Sequence, residues 1–378
     1  MKRLSRLDNS PFAQLWWSID RPSLAILSLI IVIGAIVLMA AGPTAAARFS
    51  NVSEFHFPLR QMMFMVPTVL LMVSIAFLTP LQARRLGVFI FAGALAVMVL
   101  VLLFASEVNG AHRWLYFGSF SLQPSEFAKP GFVIAAAWML AEGARDPKFP
   151  GGAVAIGLYA VFAGLLLMQP DFGQWALVTA VWAVMFFVAG WSWLWIALLG
   201  VVGIGALTAG YYLSAHVAAR VDGFFKPGAN ETFQVDRAGE TIANGGWFGR
   251  GDASALKGAL PDAHTDFIFA VAGEEFGFIL TVLIVLLFAA FTVRVMSVAA
   301  GLKSIFAQCA ATGLAALIGF QALINIGVSL RALPAKGMTL PFISYGGSSL
   351  LATGLTVGLI FALTRTHQGV FRRKDIMP

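Results

Sequence analysis

Ser23-Leu-Ala-Ile-Leu-Ser-Leu-Ile-Ile-Val-Ile-Gly-Ala-Ile-Val-Leu-Met-Ala-Ala41 runs nineteen residues without a charge. As a helix it would be about 28 Å long, close to the roughly 30 Å hydrocarbon thickness of a bilayer. It reads as a membrane span, and similar runs follow. Taking about 20 apolar residues per crossing places helices near 23–42, 61–79, 87–105, 124–141, 153–169, 171–189, 191–213, 266–292, 305–330 and 344–364. The 378 residues are 59% apolar and 11% charged, against roughly 25% charged in a soluble domain. That excludes a water-soluble globular protein, and disorder, collagen and coiled coil with it.

The expected fold class is therefore all-α, a polytopic membrane helix bundle of about ten transmembrane helices with a long loop before the eighth. Residues 1–22 read as an N-terminal interfacial segment, with Trp16 and Trp17 beside Phe12 and Leu15 at headgroup level. The bundle is placed at 23–366 with its large loop at 214–265, and a tail at 367–378. Ala45-Ala46-Ala47 imitates a signal-peptidase site, but the apolar run before it exceeds an h-region of about 7–15 residues and further spans follow, so a retained first helix is expected. Cys309, the single cysteine, lies in an apolar run and reads as core filling.

The net charge is +7, yet the basic residues form no patch, so nucleic acid is not an expected partner. They set orientation instead. With the N-terminus inside, 14 Lys and Arg fall on the inner side and 6 on the outer once the long loop is left uncounted. Both termini are expected to be cytoplasmic and the 214–265 loop external. Its charges nearly balance, and Gly245-Gly246 and Gly249-x-Gly251 around Trp247 and Phe248 suggest a folded loop with aromatic anchors.

An ionisable side chain at a span centre costs about 2.5–3.5 kcal/mol or more, so each is a functional hypothesis. In Gln123-Pro-Ser-Glu126-Phe-Ala-Lys129, Glu126 suits the positive end of a helix, whereas Lys129 opposes it. Three residues apart, they share a face, where each can neutralise the other or hold a phosphate. Arg113, between His112 and Trp114, suits either a snorkelling anchor or a pyrophosphate fork. Asp171 after Gln169-Pro170 can cap the sixth span or face a site.

Asp266, in His264-Thr-Asp-Phe-Ile-Phe-Ala270, is a candidate general base beside His264, with Thr265 free to cap the eighth helix. Glu274 and Glu275 lie too far along to pair with Asp266 and read as interhelical partners of basic groups. Asn325 in the ninth span, followed by Arg331 and Lys336, precedes a Gly/Pro/Ser-rich entry to the tenth. Irregular backbone of that kind at membrane depth needs protein or a wet cavity beside it. Walker loop, paired-Cys metal, HExxH and GxSxG motifs are absent from the sequence.

His264-Thr-Asp-Phe-Ile-Phe-Ala-Val, Gly-Glu-Glu-Phe-Gly277, Gln123-Pro-Ser-Glu-Phe-Ala-Lys129, Gln169-Pro-Asp-Phe-Gly173 and Leu333-Pro-Ala-Lys-Gly-Met-Thr-Leu-Pro-Phe-Ile-Ser-Tyr-Gly-Gly-Ser-Ser349 together resemble the SEDS family of bacterial cell-wall polymerases. The resemblance covers roughly residues 20–368 and is nearer the family's division branch than its elongation branch. It implies a ten-helix peptidoglycan glycosyltransferase of the bacterial inner membrane, at the division septum. Such a protein polymerises lipid II on the outer face with a class B penicillin-binding transpeptidase and other division proteins. The essential loop aspartate of the family falls on Asp266, and its polar cavity residues on Arg113, Glu126, Lys129 and Asp171; His264 and Lys336 join the candidates. Phe233-Gln234 and the stretch Asp236 to Gly246 depart from the family's usual loop.

The chemistry so implied is attack of a sugar hydroxyl on an anomeric carbon with inversion and loss of undecaprenyl pyrophosphate, Asp266 being the base and Arg113 and Lys129 meeting the leaving group. A divalent cation, magnesium or manganese, could assist the leaving group, although no sequence motif identifies one. A flippase for the lipid-linked precursor and a non-catalytic division scaffold are the alternatives.

Overall fold

The fold is that of a computed structural model, which describes residues 10–48, 52–105, 107, 112–118, 120–213, 218, 233–251, 258, 260–334 and 337–365. All ten expected spans are helices. They are α2 (Arg21–Ala46), α3 (His56–Ala76), α4 (Pro80–Phe104), α5 (Pro124–Arg145), α6 (Gly151–Met168), α7 (Phe172–Val188), α8 (Trp193–Leu213), α10 (Ile268–Ala300), α11 (Ile305–Ser329) and α12 (Gly347–Thr364). Seven of them are long and apolar enough to cross a membrane by length and composition alone. Two further helices, α1 (Pro11–Ser18) and α9 (Phe233–Asn244), and a hairpin of β1 (Leu115–Phe117) with β2 (Phe120–Leu122) complete the described elements. The chain is a multi-pass membrane protein.

Helix boundaries follow local chemistry. Asp20 caps α2 by accepting from the Ser23 amide at 3.0 Å and also takes Arg294 Nε at 3.0 Å. The guanidinium holds the Asp20 carboxyl below its usual pKa and brings the far end of α10 to the start of α2. Arg21 lies 4.1 Å from the centre of the Trp17 ring, so α1 is fastened to the same end of the bundle. Thr79 and Gln82 form a reciprocal capping box at the start of α4. Arg84, just inside that helix, sits over the ring of Trp138 at 4.8 Å.

The centre is built from α5, α11 and α12. Buried residues make up 78% and 83% of the apolar stretches of α11 and α12, but 22% of that of α4, which places the first two inside and α4 outside. With lipid on the outside, helices associate by close packing of small residues rather than by hydrophobic transfer. Gly354 and Gly358 of α12 show this: a methyl group there would meet Thr68 Cγ2 at 2.5 Å and the Met72 carbonyl at 2.8 Å on α3. Cys309 is fully buried, as core filling requires.

The eighth span departs from expectation. It begins at Ile268 rather than 266, Phe267 occupies the N-cap without a side-chain bond, and 261–267 is a turn. Neither Thr265 nor Asp266 caps it; the Thr265 hydroxyl donates instead to the Asp262 carbonyl. Inside α10 the helix breaks at Gly277, with φ 81° and ψ −177°. A break strands peptide groups that must find partners in a membrane protein. The glycine turn after α9 supplies them: Gly246 O accepts from Phe278 N at 2.8 Å, and Arg250 N donates to Glu274 O at 2.9 Å. A methyl on Gly277 would lie 2.4 Å from the Trp247 carbonyl, so no other residue fits. Glu274 is fully buried, and its carboxylate accepts from the Asn244 side-chain amide at 2.7 Å, which ties α10 to α9.

Candidate active site

At the end of the bundle where α3, α5, α7, α10 and α12 begin, a cavity of about 590 Å³ opens. Side chains from α3, the hairpin, α5, α7, α9, the 262–266 turn and the 337–349 stretch line it.

One wall is carried by helices. Pro124 starts α5 where a missing N–H costs nothing, which puts Glu126 in the first turn and buries it to 4% exposure. Glu126 Oε1 accepts from Lys129 Nζ at 2.9 Å and from Gln174 Nε2 at 2.6 Å. Lys129, 2% exposed, also donates to Gln321 Oε1 at 3.1 Å. Asp171 caps α7 through the Gln174 amide at 3.3 Å and lies 4.0 Å from Arg113 Nε. Arg113 is itself locked across the α6–α7 connection, donating to Gln169 O at 2.8 Å and to Pro170 O. Asp171 therefore both caps and faces the cavity.

The opposite wall is irregular backbone. The Thr265 and Asp266 amides both donate to Asp262 O at 3.1 Å, closing a turn in which Asp262 has φ 51°. Asp266 is partly exposed and faces the cavity. A methyl on Gly337 would come within 2.6 Å of Asp266 Oδ2, so the two chain segments abut at the carboxylate. The Ser344 hydroxyl donates to Thr265 O and accepts from Leu340 N, Tyr345 N donates to His264 O at 2.9 Å, and Gln61 of α3 donates to Ser344 O at 3.0 Å. Phe342 adopts φ 62° within this stretch. The irregular backbone at the entry to α12 thus adjoins a cavity and is tied to α3 and to the 262–266 turn by hydrogen bonds.

Arg113, Glu126, Asp171 and Asp266 are brought together around one cavity. Lys129 is not on its surface: it lies beneath Glu126, beside a void of about 10 Å³. Its ammonium is neutralised by Glu126 and hydrogen-bonded to Gln321, the first of the two roles that the spacing allowed. His264 also stands outside the lining. Its ring packs at 4.3 Å from that of Phe57 and 5.6 Å from that of Tyr345, and burial pushes its pKa below the ordinary histidine value. Lys336, a further candidate, lies outside the described residues. Arg60 and Gln234 line the cavity without having been singled out, and Gln174 and Gln321 complete the ionic cluster. Spacing held a clue to the last two: Gln174 is three residues past the Asp171 cap, and Gln321 is one turn before Asn325 in an otherwise apolar helix. A cavity with two arginines and a partly exposed carboxylate suits an anionic head group that carries a hydroxyl.

The model of the FtsW, RodA and SpoVE cell cycle proteins matches residues 21–369. A curated relative from Caulobacter vibrioides, named "Probable peptidoglycan glycosyltransferase FtsW", is 44% identical over 97% of this chain and 94% of its own. Its namesake from Halorhodospira halophila is 34% identical over 93% and 92%. Among solved structures, one described as "Structural coordination of polymerization and crosslinking by a peptidoglycan synthase complex" superposes with a TM-score of 0.76 at 28% identity, covering 92% of this chain and 98% of that one. The rod shape determining protein RodA of Thermus thermophilus gives 0.69 at 28%, covering 92% and 97%. The chain belongs to the SEDS family of FtsW, RodA and SpoVE cell cycle proteins and is FtsW-like.

Proposed function

We propose that this chain is a peptidoglycan glycosyltransferase of cell division that polymerises lipid II into glycan strands. The observation that carries the reading is the placement of the Asp266 carboxylate in one cavity with Arg113, at one end of a membrane bundle. In the reaction, Asp266 takes the proton of the acceptor sugar's 4-hydroxyl as its oxygen bonds to the donor's anomeric carbon. The bond from that carbon to the pyrophosphate breaks on the opposite face, so the α-linked donor gives a β-linked product. Arg113, its fork already fixed by two carbonyls, meets the charge developing on the pyrophosphate without reorganising. Lys129 acts from below by holding Glu126 in the cavity surface.

Among the described residues no three His, Cys, Asp or Glu side chains gather as metal ligands. A divalent cation, if used, would be held chiefly by the substrate's phosphates, and no step here is routed through it. The proposed partner is a class B penicillin-binding transpeptidase together with other division proteins. The structural neighbour that couples polymerization with crosslinking supports the first. The proposed setting is the inner membrane at the septum, with cytoplasmic termini and the cavity outward.

The deciding experiment is polymerisation of purified lipid II by the purified chain, with and without the transpeptidase. Glycan strands lost on Asp266→Asn substitution are expected, and no product under either condition would leave the flippase reading in its place. Sidedness is separately testable in a Cys309→Ser background. A cysteine at exposed Glu240 on α9 should react with an impermeant maleimide in intact spheroplasts, and one at exposed Lys148, beyond α5, only after lysis. The reverse pattern would put the cavity on the cytoplasmic leaflet, where the polymerase reading fails. Ala255 and Lys374, which the loop and tail also suggest for labelling, lie outside the described residues.

A further inference from the structure

Asn325 is 1% exposed near the C-terminal end of an apolar helix, and the reaction above gives it no part. Its single amide nitrogen donates to two backbone carbonyls from different segments, Asp266 O at 2.7 Å and Met338 O at 2.6 Å. Met338 follows Gly337, the residue whose backbone abuts Asp266 Oδ2. One side chain therefore clasps the peptide of Asp266 to the peptide that limits where the Asp266 carboxylate can stand.

The Asn325 carbonyl oxygen is buried and has no hydrogen-bond partner among the described residues. A buried acceptor left unmet costs stability. An amide that carries such a cost is a poor device for holding the fold and a good one for holding two carbonyls. A carboxylate in its place would face both carbonyls with acceptors, and a hydroxyl could serve only one. Gln321, one turn earlier, does comparable work on the other side, donating to Thr339 O at 3.0 Å while accepting from Lys129. Ser344 and Tyr345 also bond the turn, through Thr265 O and His264 O, but Asn325 is the side chain that reaches the peptide of Asp266 itself.

We infer that Asn325 is a positioning residue for Asp266, fixing the carboxylate in the cavity by clasping the 262–266 turn to the 337–339 stretch. The inference rests on the reading of Asp266 as the base. Misplacing a reacting group by about 1 Å can cost about 10²-fold in rate. Asn325→Ala is therefore expected to lower kcat for lipid II polymerisation by about 10- to 100-fold with KM changed less than about threefold. Asn325→Ser, with one donor, should fall between Ala and wild type.

Ser329→Ala is the control. It removes another buried hydrogen bond one turn along α11, from Ser329 Oγ to Asn325 O at 3.0 Å, without touching the turn, and should leave kcat near wild type. Asn325→Ala with wild-type kcat, or Ser329→Ala with an equal loss, overturns the inference. Should Asn325→Ala fail to accumulate, the kcat of Asn325→Ser decides on the same criterion. Asp266→Asn is assayed alongside: if it retains activity the base reading falls, and if it is dead while Asn325→Ala is normal, only the positioning role falls.

Discussion

The two walls of the cavity are built on opposite plans. The wall of α5 and α7 is regular helix, its charges buried and paired with one another: Lys129 with Glu126, Asp171 with the α7 amide and near Arg113. The facing wall, 262–266 against 337–346, is turn and irregular backbone, contains residues at positive φ, and is held by side-chain amides and hydroxyls that bond its backbone. The difference teaches where each kind of error would show. A charge removed from the helical wall leaves its partner buried and unpaired, so the fold suffers first. A change in the loop wall moves Asp266, the proposed base, within an intact bundle, so the rate is expected to suffer first.

The largest expected effect tests the loop wall. Asp266→Asn keeps the size and removes the proton acceptor, so polymerisation should fall by about 10²–10⁴-fold while the protein still accumulates and inserts. Activity within about threefold of wild type would take the role of base away from Asp266. The helical wall should answer differently. Lys129→Met leaves the Glu126 carboxylate buried without its cation, a loss of about 3–5 kcal/mol for a broken buried pair, read as a lower unfolding midpoint in detergent. Adding Glu126→Gln should restore the midpoint. If activity returns as well, the pair is structural; if stability alone returns, Lys129 belongs to the chemistry and the contrast between the walls weakens.

A third change sharpens the boundary. Gly337→Ala places a methyl where the nearest atom is Asp266 Oδ2, the far end of a side chain, so the carboxylate is expected to give way before the backbone. Kinetics should show kcat lowered by about tenfold or more with the unfolding midpoint nearly unchanged; a lowered midpoint with normal kcat would contradict it. The smallest effect concerns pH. His264, behind the loop wall, has its pKa depressed by burial, so folding favours the neutral ring. Its contribution is fully present above the unfolded value of about 6.5 and is lost as pH falls below it. The unfolding midpoint should drop between about pH 7 and pH 5, and His264→Phe, which keeps the ring contacts with Phe57 and Tyr345, should flatten that drop. An unflattened profile would assign the acid sensitivity elsewhere.

The bundle was legible because each span states itself in local composition, and the expected boundaries err where charge misleads. α3 and α4 begin earlier than their apolar runs because Arg60 faces the cavity and Arg84 lies over Trp138. α10 runs past Arg294 because Asp20 receives it. Of the site, the acids and Arg113 stood out, since a charge in an apolar context is conspicuous. The glutamines that complete the Glu126–Lys129 cluster did not, because Gln174 reaches Glu126 from 48 residues away and Gln321 reaches Lys129 from 192, and a glutamine announces nothing by itself. The helical form of the loop at α9 was likewise hidden, its stability coming from packing on α10 and α11 rather than from an apolar run.

The break at Gly277 also bears on how the chain is made. The turn that completes it, Gly245 to Arg250, leaves the ribosome before α10 does, yet can dock only after both have reached the same side of the membrane. Until then the break exposes unmet peptide groups near lipid, a state costly enough to be short-lived or to be recognised by membrane proteases. Docking of the loop is therefore expected to limit how long the newly made chain survives. A variant whose turn cannot seat, such as Gly249→Val, whose side chain would meet the Glu275 carbonyl at 2.0 Å, should be degraded faster in a pulse–chase even though every span is intact. Equal half-lives would show that the chain matures without waiting for the loop.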